Sequence, residues 1–133
     1  MRNLLLIFIF ATFSFSSQLN TYLNNLKQEA TKENPNFKEF SIKKGEEIFT
    51  SKHIGKKGKE IACTSCHGID LTKKSENFFT GKELEPLSQK VNPTRLTDIK
   101  KVEKWLKRNF KDVYNRVGTA QEKGDVLVYI LSK

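Results

Sequence analysis

Both cysteines of this chain and one of its two histidines fall in a single pentad, Cys63-Thr64-Ser65-Cys66-His67. C-x-x-C-H is the attachment pattern of a c-type haem. On a short helical turn the two thiols are placed to add to the two vinyl groups of one porphyrin. The adjacent imidazole then reaches the iron from one face. Other uses of the pentad fit less well. A structural zinc wants four protein ligands, and beyond these three only the distant His53 is available. A thioredoxin-like redox pair needs a βαβ context that the sequence lacks. A disulfide across so short a loop is strained. With no other cysteine, stability has to come from packing and from the cofactor.

A length of 133 residues supports one small domain. It excludes a TIM barrel or a dinucleotide fold with a second domain. Hydrophobic residues make up 37%, so a core of side chains alone is modest and gains from a buried apolar group. The net charge is +9, but basic and acidic residues are interleaved. The charge therefore does not point to nucleic acid; basic residues near a haem edge instead suit an acidic redox partner.

The N-terminus has the three parts of a secretory signal. Met1-Arg2-Asn3 is a short basic start, Leu4 to Phe13 is apolar, and small residues follow around Ser14 and Ser16. The apolar run is short for a membrane span. We expect residues 1–17 to be a signal peptide, cleaved after Ser16 or Ser17, and residues 18–133 to be the exported, periplasmic domain.

That domain reads as all-α. Leu19, Tyr22, Leu23 and Leu26 recur at helical spacing over residues 18–30, and Asn34-Pro35-Asn36 stops the helix. Ser41 caps a second helix to about Thr50, with Gly45 permitting close helix contact. Residues 51–59 form a basic loop, and residues 68–93 read mainly as loop. Thr97-Asp98 caps a helix to about Phe110, with Ile99, Val102, Leu106 and Phe110 on its apolar face and Trp105 alongside. Thr119 to Glu122 is a capping box for the last helix. Long loops in so small a chain need something to wrap around.

The second iron ligand is constrained by composition. The only methionine is Met1, which leaves with the signal segment, so a His/Met pair is excluded. His53, a lysine, a weak ligand such as Asn, or an open site remain. His53 lies in the basic loop and is expected to be exposed. Asn109 follows Val102 by seven residues and Leu106 by three, which puts it on the buried stripe of its helix.

One further pattern spans most of the chain. Gly81-Lys82-Glu83, Glu85-Pro86-Leu87, Asn92-Pro93, Arg95, Thr97-Asp98, Val102 to Leu106, Arg108-Asn109 and Glu122-Lys123 resemble the sphaeroides haem protein (SHP) family. The likeness runs from about Gly45 to Leu131. It implies a small class I-like cytochrome c fold around one covalent haem c. His67 would be the proximal ligand. Asn109 would be a distal ligand that binds oxidised iron and leaves on reduction, opening a site for oxygen or nitric oxide. Trp105, four residues before Asn109, would pack beside the haem. The resemblance also implies redox partners such as a dihaem cytochrome c or a membrane cytochrome b. In one respect the chain departs from the family: the founding protein has a disulfide just after the ligand Asn, and the corresponding positions here are Phe110 and Gly118.

Two readings of different classes follow. One is a ligand-binding haem protein that cycles oxygen or nitric oxide, with weak oxygenase or nitric oxide dioxygenase chemistry as a further option. The other is an ordinary low-spin electron carrier with His53 or a lysine as sixth ligand.

Overall fold

The structure, a computed structural model, describes residues 11–133, with side chains described from residue 17 onward. Most of the signal segment therefore lies outside the described residues. Five helices account for most of the ordered backbone: α1 (Ala11–Glu33), α2 (Ile42–Thr50), α3 (Thr64–His67), α4 (Ile99–Tyr114) and α5 (Ala120–Leu131). Two small antiparallel ladders interrupt the loops. β1 (His53–Ile54) pairs with β2 (Glu60–Ile61), and β3 (Ser75–Glu76) pairs with β4 (Glu83–Leu84). The fold is all-α, as expected. Among the described residues no helix is long and apolar enough to cross a membrane.

Helix α1 outruns its expected C-terminal end by one short step. The amide of Asn34 still donates to the Ala30 carbonyl at 2.9 Å before Pro35 ends the pattern. Leu19, Leu26 and Ala30 are buried on its inner stripe. Helix α2 starts where Ser41 caps it, its hydroxyl accepting from the Lys44 amide at 3.2 Å. The Ser41 amide donates to the Asp125 carboxylate at 2.7 Å, tying the start of α2 to α5. That carboxylate is almost wholly buried, and burial raises its pKa.

Gly45 is what lets α2 and α5 cross. A Cβ there would overlap the Asp125 carbonyl oxygen and lie 2.7 Å from the Tyr129 Cβ. One turn on, the buried Phe49 ring sits 5.4 Å from Tyr129, centroid to centroid. Leu26, Ala30, Phe37, Phe49, Leu127 and Ile130 join Val102, Leu106 and Phe110 of α4 in one core. Each fully buried Leu, Ile or Phe contributes about 1.5–3 kcal/mol relative to exposure.

Helix α4 begins where Asp98 accepts from the Lys101 amide at 3.2 Å. It runs to Tyr114, a turn past its expected end, because Val113 continues the buried stripe. It stops at Asn115, left-handed at φ 55°, a conformation Asn tolerates better than most residues. Thr119 and Glu122 form the expected reciprocal capping box at the start of α5.

Candidate haem site

The pentad sits on one tight turn. The amides of Cys66 and His67 both donate to the Cys63 carbonyl, at 3.2 and 3.0 Å. Ser65 closes the entry to the turn, its hydroxyl accepting from the Ala62 amide at 3.0 Å. Gly68 ends it at φ 71°, where a side chain would be strained. Both thiols are free and half-buried. Cys63 packs against the core that holds Leu106 and Phe110. The Phe78 amide donates to the Cys66 sulfur at 3.4 Å.

The electrostatics suit a neutral donor set. Burial, and then the neighbouring Cys66, push the Cys63 thiol up to about 12. Burial, and then Arg95, push His67 down to about 4. His67 is therefore a neutral imidazole at pH 7, the form that ligates iron. Its Nδ1 is buried without a partner, and its ring lies 6.0 Å from Phe49. Among the described residues no three His, Cys, Asp or Glu side chains converge to hold a metal ion directly. Two free thiols and a neutral imidazole on one turn fit a haem and not a bare ion. Cys63 and Cys66 are the residues able to hold it, and His67 is the residue that could ligate its iron.

Helix α4 carries the other candidates. Asn109 is half-buried, between the buried Leu106 and Phe110. Trp105 lies one turn earlier on α4 and is not part of the buried side-chain core. The residue is 46% exposed, with Arg108 over its ring at 5.2 Å and Lys104 at 5.8 Å.

His53 departs from expectation. It is not an exposed loop histidine. It is half-buried on β1 opposite Ile61, its ring lies 4.2 Å from that of Tyr114, and its Nε2 is buried without a partner. The basic residues around it carry no trace of this, because the pose comes from α4, far along the chain. Two other contacts also depend on partners far along the chain or across a turn. Gly55 touches the backbone of Asp112 and Val113, and Gly118 lies against the Phe110 ring. A glycine amid four lysines in residues 52–59 was the one local signal for the first.

An all-helical chain folded around this turn is a small c-type cytochrome, and it carries covalently bound haem c. The comparisons with known proteins go one step further. The family model described as a domain of unknown function (DUF1924) matches residues 35–130. Cytochrome c-type protein SHP of Cereibacter sphaeroides is 40% identical over 90 residues, covering 68% of this chain and 69% of that protein. Cytochrome c'' of Methylophilus methylotrophus is 36% identical over 100 residues, covering 75% and 69%. Among solved structures, oxidised cytochrome c'' of Methylophilus methylotrophus matches with a TM-score of 0.75 at 32% identity, over 92% of this chain and 96% of that one. Oxidised SHP, described as an oxygen binding cytochrome c, also gives 0.75 at 32% identity, over 86% and 96%. The chain belongs to the SHP family of c-type cytochromes.

Proposed function

We propose that this chain is an exported, periplasmic monohaem cytochrome that binds oxygen or nitric oxide when reduced and exchanges electrons with other cytochromes. The observation that carries the reading is the placement of Asn109. It is a half-buried amide held between two core residues of α4, in a chain whose relative SHP is described as oxygen binding.

The haem, when bound, supplies one-electron chemistry and an iron site for a diatomic ligand. Cys63 and Cys66 would hold it through two thioethers, with His67 as the proximal ligand. Asn109 would be the distal ligand. A neutral amide is a weak donor that competes better for ferric iron than for the softer ferrous state, so reduction favours its departure. Trp105 borders the same face of α4 one turn away. Dihaem cytochromes c and membrane cytochromes b are the partner classes this reading carries, met through the basic surface.

An absorption spectrum of the reduced protein, with and without carbon monoxide, tests the proposal. A high-spin ferrous state that binds carbon monoxide is expected. A low-spin ferrous state inert to carbon monoxide overturns it. One observation favours a second reading, an electron carrier with His53 as sixth ligand: the His53 Nε2 is buried and unpaired. Replacing His53 separates the two.

A further inference from the structure

We propose that residues 53–55, together with Ile48 and Gly118, form a noncovalent clamp on the last turn of α4, and that this clamp sets how readily Asn109 leaves the iron. The inference rests on Asn109 being the distal ligand and names what positions it.

The residues that follow Asn109 are tied down one after another. The Phe110 ring packs on Gly118 so closely that a Cβ there would come within 2.8 Å of two ring carbons. A Cβ on Gly55 would overlap the Asp112 carbonyl oxygen and lie 2.9 Å from that of Val113. The Tyr114 hydroxyl donates to the Ile48 carbonyl at 2.7 Å, and its ring lies tilted against that of His53, 4.2 Å between centroids. The Asn115 side-chain Nδ2 donates to the Ile54 carbonyl at 2.8 Å. A more exposed ion pair, Lys56 with Asp112 at 3.4 Å, adds little.

On the N-terminal side of Asn109 the helix is held by Val102 and Leu106 on its core stripe, while Lys104, Trp105, Lys107 and Arg108 are exposed. Asn109 therefore stands between that stripe and a turn tied down by several further contacts. Its Cα cannot slide or rotate with the helix unless the contacts at 110 and 112–115 give way. A weak ligand held in that way rebinds before it escapes, since little conformational freedom has to be lost again on return. The contacts come from the end of α2, from β1 and from the residue just before the α5 cap, so three separate elements hold one helix end.

The test uses the ferric haem-loaded protein and stopped-flow binding of cyanide and azide. Gly55→Ala is the obvious change but endangers folding, so the informative variants are milder. Asn115→Gly keeps the left-handed backbone and removes only the bond to Ile54. Tyr114→Phe removes only the bond to Ile48. Loss of one such bond corresponds to about a fivefold change in the opening equilibrium. Anion binding limited by Asn109 release should quicken by about that factor in each variant, and further in the double variant. Carbon monoxide binding to the ferrous protein should stay unchanged, a contrast that general loosening of the fold would not give. Asn109→Ala serves as the reference. Fast binding in Asn109→Ala with wild-type rates in both clamp variants overturns the clamp while leaving the ligand assignment standing. Wild-type rates in Asn109→Ala overturn both.

Discussion

Gly45 and Tyr129 meet where α2 crosses α5, so closely that a Cβ on Gly45 would lie 2.7 Å from the Tyr129 Cβ and overlap the Asp125 carbonyl. Backbone cannot give way as the end of a flexible side chain can. Gly45→Ala should therefore cost about 2–3 kcal/mol through overpacking, read as a lower midpoint in urea. An unchanged midpoint would show that the two helices can part without loss.

The pentad makes a covalent prediction. Cys63→Ala or Cys66→Ala should leave one thioether and weaken attachment. The double variant should lose haem on denaturation, and a haem-stained band on a denaturing gel from that variant would rule the assignment out. Replacing His67 should abolish the native iron spectrum, because no neighbour has its fixed reach.

Asn109→Ala should leave haem attachment intact and let ferric iron take up water, cyanide or azide faster, since no internal group must first dissociate. Ferrous ligand binding should change less. Identical ferric spectra and identical anion-binding rates in wild type and variant would sink the assignment.

His53→Ala should leave the iron's spin state alone, because the ring is engaged with Tyr114. Its cost is the lost ring contact, about 0.5–1.5 kcal/mol of stability. A change from low-spin to high-spin ferric haem on this substitution would favour the carrier reading instead.

Glu122 gives a pH prediction. Its carboxylate receives two bonds from Arg116, at 2.6 and 2.7 Å, and one from the Thr119 amide at 2.8 Å. Hydrogen bonding from Arg116 foremost holds its pKa below the ordinary 4.5. A depressed carboxylate stabilises the fold at neutral pH, and that contribution is lost as pH falls below 4.5 and through the lowered pKa. Glu122→Gln should cost about 1 kcal/mol at pH 7 and converge with wild type near pH 2. Asp125, raised by burial, acts with the opposite sign, so the difference between wild type and variant is the quantity to follow. A constant difference from pH 7 to pH 2 would refute the linkage.

What the sequence determined by itself is what short-range chemistry controls. The pentad needs five consecutive residues to present two sulfurs and an imidazole on one turn. Ser41, Asp98 and the Thr119–Glu122 box each start a helix by bonding an amide within three residues. Helical spacing likewise identified Leu26, Val102, Leu106 and Phe110 as core, because burial follows the 3.6-residue repeat wherever a helix packs on one face. The need for a glycine at position 45 was also legible, though not its partner.

Only the tertiary structure decided the features that join segments far apart in the chain. His53 looked exposed because its neighbours are basic, yet Tyr114, sixty-one positions on, gives its ring a fixed place. Phe110 and Gly118 looked like a lost crosslink, and in the fold an aromatic ring fills the space against a residue with no side chain. Spacing in sequence sets what one helix can present. Which loop meets its end, and how firmly Asn109 is held there, depends on the approach of other backbones, and no local pattern encodes that.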